Sequence, residues 1–197
     1  MKTRNETLKY IKDKYGVDVE QPIVRIDIDR FRGFTTLLRE LDIRTGAEIG
    51  VLKGQYSKWL CAKIRKLKLY LVDPYVAYDE YSEQRTQEDL SSNEAEARIR
   101  MEKFNVEFVK KWSMDAVKDF EDESLDFVFI DANHDYKWVK EDIEEWSKKV
   151  KKGGIVSGHD YSPYHFKGVV RAVDEWVKKE KISPLFLIGH KVWFYVK

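Results

Sequence analysis

The sequence predicts an α/β domain: a mostly parallel sheet with helices on both faces, closing in an antiparallel hairpin. Three observations carry that prediction. The hydrophobic period changes repeatedly along the chain, so short strands alternate with amphipathic helices and require parallel crossovers. The last two strand candidates are joined only by Gly189-His190, too few residues for a crossover, so that pair is antiparallel. A chain of 197 residues, 43% of them hydrophobic, suits one core of this size.

Residues 1–30 read as a preface: a short helix with Leu8, Ile11 and Tyr15 on one side and Gly16 at its end, then Val24, Ile26 and Ile28 alternating with Arg25, Asp27 and Asp29. Residues 31–197 form the domain proper. Phe31, Phe34, Leu38 and Leu41 make a helical stripe, TGAEIGV (45–51) a buried strand, and Tyr56, Leu60 and Ile64 a second helix. The strand LYLVD (69–73) follows, then a polar stretch over about 76–94, a helix ending near Phe104, the strand VEFV (106–109) and a short helix near 114–120. LDFVFID (125–131) is the most apolar strand candidate. Val139, Ile143, Trp146 and Val150 recur at the spacing of one helix face. GIVSG (154–158), a helix marked by Val169, Val173, Trp176 and Val177, and the strands in PLFLIG and HKVWFYVK bring the count to seven strands.

Lys and Arg number 36 against 35 Asp and Glu, a net charge of +1. So balanced a surface does not favour a nucleic-acid partner. The single cysteine, Cys61, allows no internal disulfide, and no Cys/His set has zinc-site spacing. The first twenty residues lack the apolar stretch of a signal peptide, and no apolar run approaches the roughly 20 residues that span a bilayer. The expectation is a cytoplasmic protein without a membrane span. Cys61, beside Trp59, and Trp138, Trp146 and Trp176, at helix-stripe positions, are expected to pack in the core.

Open parallel sheets bind ligands beyond the carboxyl ends of their strands. The first such turn reads E-x-G-x-x-x-G-x-x-S, with Glu48, Gly50, Gly54 and Ser57. Its glycines let the backbone turn tightly and approach a ligand, and Ser57 offers a hydrogen bond near a helix start. It matches neither the dinucleotide pattern nor the phosphate-cradling one. Glu48 would repel a pyrophosphate and suits a cationic or hydroxyl-bearing ligand; a strand-to-helix turn without a ligand is the alternative. Asp73 ends the second strand 23 positions after Gly50, where a carboxylate can accept from both hydroxyls of a ribose. Asp-Pro can equally cap a loop.

The fourth strand of the domain delivers Asp131, Asn133, His134 and Asp135, and the fifth delivers His159 and Asp160, with His165 just beyond. Carboxylates and imidazoles gathered at adjacent strand ends suit proton abstraction from a hydroxyl, or a divalent cation. The structural alternatives are Asn133 or Asp135 as a helix N-cap and His159 as a hydrogen-bonded core residue. Tyr75, Tyr78 and Tyr81 belong to the polar stretch, which reads either as a lid whose aromatics meet an acceptor or as a solvated insertion.

With these residues in view, the chain resembles the class I S-adenosylmethionine-dependent methyltransferases. It is most similar to the bacterial small-molecule and sugar O-methyltransferases that carry I-D-x-x-H-x-Y after the fourth strand and G-G-x-x-x-x-H-D-Y around the fifth. Those segments are here Ile130 to Tyr136 and Gly153 to Tyr161, and the similarity runs from about residue 31 to the C-terminus. The resemblance implies a Rossmann-like, doubly wound, seven-stranded sheet and S-adenosylmethionine as cofactor. Glu48, Gly50 and Gly54, with Ser57 close by, would line its methionine and ribose part. Asp73 would hold the ribose diol, Ser113 and Met114 would border the adenine, and Asp131 would approach the amino end of the methionine moiety or the reacting centre.

The cofactor supplies the difficult chemistry in such enzymes, while the protein positions the acceptor and removes a proton. The candidate catalytic residues are Asp131, His134, His159 and Asp160, with either histidine as general base. Related metal-dependent branches imply Asp131, His159 and Asp160 as ligands of Mg²⁺, although a histidine departs from the oxygen set that Mg²⁺ prefers. The implied acceptor is a hydroxylated small molecule such as a sugar, and a homodimer is left open. Glu48, Asp73, Asp131 and Asp160 would together face one cationic, hydroxyl-rich cofactor. Two other classes compete: a non-catalytic cofactor-binding module, and a nicotinamide-dependent oxidoreductase, against which Glu48 and the missing G-x-G-x-x-G both speak.

Overall fold

The computed structural model describes residues 2–78, 85–189 and 191–197. The strands are β1 (Ile23–Ile26), β2 (Thr45–Ile49), β3 (Lys68–Val72), β4 (Val106–Val109), β5 (Leu125–Ile130), β6 (Val150–Gly158), β7 (Leu185–Ile188) and β8 (Val192–Val196). They form one sheet in the order β1-β7-β8-β6-β5-β2-β3-β4. Every pairing is parallel except those of β8, which runs antiparallel to both β6 and β7. The α/β class and the closing hairpin are as the sequence predicts.

Helices α1 (Arg4–Tyr15), α2 (Thr35–Glu40), α3 (Gln55–Lys63) and α4 (Gln87–Met101) contribute to the core on one face of the sheet. Those on the other are α5 (Ser113–Ala116), α6 (Tyr136–Lys149) and α7 (Lys167–Lys179). β5 sits between the two layers and is buried at all six positions, which explains its unbroken apolar run. Phe127 and Phe129 point into the first layer, Val128 and Ile130 into the second. Cys61 and Trp146 are buried as expected, and burial pushes the Cys61 thiol up to about 12.

Among the described residues the sheet has eight strands, one more than the resemblance implies, because the N-terminal segment joins it. Val24 and Ile26 bury while β1 pairs with β7, in register from Ile23 with Leu185 to Ile26 with Ile188. This strand occupies the backbone donors and acceptors along one side of β7. A capping box between Thr3 and Glu6 starts α1, Gly16 in the left-handed conformation ends it, and the Thr7 hydroxyl donates to the Gly153 carbonyl at 3.3 Å. Between β1 and α2 lies a π-helical turn, Arg30–Phe34, capped by Asp29, whose carboxylate accepts from the Arg32 N–H at 2.7 Å. The wider turn rotates Phe31 off the stripe of Phe34, Leu38 and Leu41, so Phe31 stays 37% exposed.

Candidate active site

A cavity of about 660 Å³ opens beyond the carboxyl ends of β2, β3 and β5, where sequence reasoning looked for it. Gly50 follows β2 with φ at +87°, and a Cβ there would stand 2.3 Å from the Asp131 carbonyl oxygen, so only glycine lets the two strand ends meet. The Asp131 N–H donates to the Ile49 carbonyl at 2.8 Å, and that of His159 to Ile130 at 3.0 Å. Backbone bonds thus set three neighbouring strand ends side by side.

Asp73 closes the glycine turn. Its Oδ2 accepts from the backbone of Val51 at 2.9 Å and Leu52 at 3.0 Å, and its Oδ1 from Tyr75 at 2.9 Å. Burial raises its pKa, against the pull of those bonds. Glu48 is buried and accepts the Ser57 hydroxyl. Burial pushes it up to about 8, reinforced by Asp131 and Asp73, so near neutral pH it is largely a neutral acid. The pocket is therefore less acidic than its four predicted carboxyls suggest. Gly54 and Ser57 stand behind the cavity wall, while Glu48, Gly50, Asp73, Ser113, Met114, Asp131, His134, His159 and Asp160 line it.

At one end of the cavity Asp160 accepts from both imidazoles. His134 Nε2 lies 2.9 Å and His159 Nδ1 3.2 Å from its Oδ2, and His159 Nδ1 is also 3.6 Å from Asp131 Oδ1. Burial opposes charge on Asp160, but the bonds from His134 and His159 more than offset it and hold the carboxyl well below the usual range. Lys191 Nζ lies 3.6 Å from its other oxygen. The His134 ring packs on Phe166 with centroids 4.4 Å apart. Asp131 is pushed up to about 6, burial outweighing the pull of His159 and of Arg30, whose guanidinium sits 3.2 Å away.

Another part of the lining is aromatic. The Trp146 indole donates to the Ser113 hydroxyl at 2.8 Å, and Ser113 donates to Asp142, whose carboxyl burial pushes up to about 7. Tyr78 meets Trp112 and Trp138 edge-on, with centroids 5.0 and 6.2 Å away, and its hydroxyl accepts from Asn133 at 2.9 Å.

Several expectations need correction here. Among the described residues Asp131, His134 and Asp160 form a cation-compatible set, with donor atoms within 4.8 Å of one another, while His159 Nδ1 stands 3.2 Å from Asp160 and 3.6 Å from Asp131. The His134 ring, held between Asp160 and Phe166, supplies the nitrogen that completes this set. Trp138 lines the cavity instead of packing in the core. Tyr75 is buried, its hydroxyl donating to the Leu52 carbonyl at 3.0 Å, so of the three tyrosines Tyr78 faces the cavity and Tyr81 lies outside the described residues. Asp135 occupies the N-cap position of α6 without a side-chain cap bond; Asn133 instead accepts from the Asp135 N–H at 2.8 Å. His165 is exposed and outside the cavity lining.

Arg30, Trp112 and Asp142 are cavity residues that sequence reasoning missed. Asp142 did carry a signal, a carboxylate beside Ile143 on the stripe of Val139 and Trp146. Arg30 carried none, being one cation among 36.

Fold and cavity together define an α/β ligand-binding domain whose pocket opens at its strand ends. The chain belongs to the methyltransferase-domain family, whose model matches residues 47–161. An uncharacterized protein, R132, of Acanthamoeba polyphaga mimivirus is 30% identical over 132 residues. That match covers 64% of this chain and 56% of the viral protein, so the chain spans just over half the length of this curated relative.

Among solved structures, the O-methyltransferase of Bacillus cereus in complex with SAH superposes with a TM-score of 0.60 at 18% identity, covering 98% of this chain and 91% of that one. TomG of Streptomyces achromogenes, an O-methyltransferase involved in tomaymycin synthesis and solved with SAM, gives 0.59 at 15% identity over 98% and 90%. A methyltransferase from Geobacter sulfurreducens gives 0.62 at 15% over 98% and 88%. At such identities the likeness is one of fold. Among the described residues no helix is long and apolar enough to cross a membrane.

Proposed function

We propose that this protein transfers a methyl group from S-adenosylmethionine to a hydroxyl oxygen of a small molecule, such as a sugar. One observation carries the reading: a single cavity joins the glycine turn closed by Asp73 to the cluster in which Asp160 holds His134 and His159. Its volume is that of a small-molecule site. Asp73 takes the ribose diol at its Oδ1, which accepts one bond from the turn, from Tyr75, and has a lone pair left. Ser113 and Met114 border the adenine, and Glu48, Gly50 and Asp131 border the methionine moiety. Residues 31–197 make the catalytic domain behind an N-terminal segment, and the single, buried Cys61 is compatible with a cytoplasmic location.

When bound, the cofactor supplies an electrophilic sulfonium methyl. The side chains supply proton removal: with its Nδ1–H given to Asp160, His159 keeps Nε2 as the basic nitrogen, and His134 shares the same carboxylate. Arg30 on Asp131 and Lys191 beside Asp160 already place positive charge around the cation-compatible set, which supports base chemistry over a metal. Calorimetric titration with S-adenosylmethionine, S-adenosylhomocysteine and NAD tests the reading, followed by a screen of hydroxylated acceptors. Both adenosyl ligands should bind and NAD should not; the reverse would establish an oxidoreductase, and binding without any acceptor turnover a binding module. Activity should survive exhaustive EDTA treatment, whereas a loss restored by Mg²⁺ would return Asp131, His134 and Asp160 to a metal role.

A further inference from the structure

The N-terminal segment, expected only to precede the domain, places a cation inside the cavity. Arg30 leads the π-helical turn, lines the pocket and pairs with Asp131 at 3.2 Å. Its guanidinium lies 4.8 Å from the Phe31 ring centroid and 5.0 Å from that of Tyr56, so it packs against both rings, which meet edge-on. Both members of the ion pair keep 22% of their side-chain surface accessible. Asp131 in turn abuts the glycine turn through the close approach of its carbonyl to Gly50.

An ammonium and a carboxylate side by side are what an α-amino acid presents, and a carboxylate and a guanidinium side by side are its charge complement. A guanidinium carries five donors in one plane and grips carboxylates with two of them at once. Among the described residues, Asp131 is the side-chain hydrogen-bond partner of Arg30, which leaves donors for a second anion. Its described contacts are Asp131, Phe31 and Tyr56 and include none of His134, His159 and Asp160. Asp131 links it to that cluster, through His159 Nδ1 at 3.6 Å.

We propose that Arg30 is a cofactor-binding residue that holds the α-carboxylate of the methionine moiety while Asp131 takes its ammonium group. The proposal rests on the methyltransferase reading. Calorimetric titrations of wild type, Arg30→Met and Arg30→Lys with S-adenosylmethionine and with decarboxylated S-adenosylmethionine, which lacks only that carboxylate, test it. Wild type should bind the intact cofactor about ten- to a hundredfold more tightly, the range expected for charge-assisted hydrogen bonds. Arg30→Met, which keeps an apolar stem against Phe31 and Tyr56, should lose that discrimination while binding the decarboxylated ligand as wild type does. Arg30→Lys should recover part of it.

Equal binding of the two ligands by wild type overturns the role of Arg30. So does a loss in Arg30→Met that is the same for both ligands, which would make the residue a prop for Asp131 or for the fold. A wild-type protein that binds neither ligand overturns the methyltransferase reading itself.

Discussion

Two parts of the cavity lining solve opposite electrostatic problems. At one, Arg30, Asp131, His134, His159, Asp160 and Lys191 form a chain of contacts no longer than 3.6 Å in which each charge has a neighbour of opposite sign. At the other, Asp142 lies under Ser113 among Trp112, Trp138 and Trp146, and burial, reinforced by Glu141, pushes its carboxyl up to about 7. The same residue type is thus held ionised in Asp160 and partly protonated near neutral pH in Asp142. Burial raises both; what differs is that two imidazoles reach Asp160 and one hydroxyl reaches Asp142.

That contrast can be broken most severely at Asp160. Its φ of 57° is one that asparagine tolerates, so Asp160→Asn should fold. The amide keeps an acceptor oxygen but loses the negative charge that supports a protonated imidazole at His134 or His159, so kcat on an acceptor found by the screen should fall by about 10² to 10⁴, the usual worth of a general base. S-adenosylhomocysteine affinity, read by calorimetry, should change little.

Asp73→Ala comes next. It removes the ribose acceptor and frees two N–H groups of the glycine turn, so S-adenosylhomocysteine should bind on the order of a hundredfold more weakly. Unchanged affinity would take Asp73 out of the site.

Glu48 sharpens the comparison through pH. Its folded pKa, raised from 4.5 to about 8, means that the native state keeps a proton the unfolded chain has already released. The contribution is therefore full below about pH 4.5 and is lost as pH rises toward 8. Glu48→Gln should flatten this fall in urea-unfolding free energy, gaining a few kcal/mol at pH 8 and little at pH 4.5. Parallel pH curves for the two proteins would show that Glu48 is ionised in the fold.

The smallest effect is expected at Asp142. An asparagine there keeps an oxygen for the Ser113 hydroxyl and differs little from the protonated acid, so Asp142→Asn should alter S-adenosylhomocysteine affinity at pH 6 by about threefold or less. The matching change Asp131→Asn leaves Arg30 without its carboxylate and should cost far more.

Much of the site was legible because it is written in short segments. Glu48, Gly50 and Asp73 sit at the ends of consecutive parallel strands, so their spacing reports one crossover, and His134, His159 and Asp160 follow two adjacent strand ends. Arg30 was not legible, since it meets Asp131 from 101 positions away and no local pattern marks it. Trp138 was misread because a tryptophan beside an apolar stripe looks the same whether it covers a core or a ligand pocket. The extra strand escaped because Val24 and Ile26 alternate over too short a span to reveal that β7 had an edge to offer.

What the sequence determined by itself is the order of strands and helices, the antiparallel close and which carboxylates and imidazoles reach the strand ends. Periodicity and turn chemistry are local properties, and a chain read in order displays them. Only the tertiary structure decided how those groups are charged: Glu48 largely and Asp142 partly protonated near neutral pH, Asp160 ionised, Asp131 shared with a cation from the N-terminal segment. Charge state depends on separation in space and on the water each group has lost, and neither is a property of neighbours in sequence.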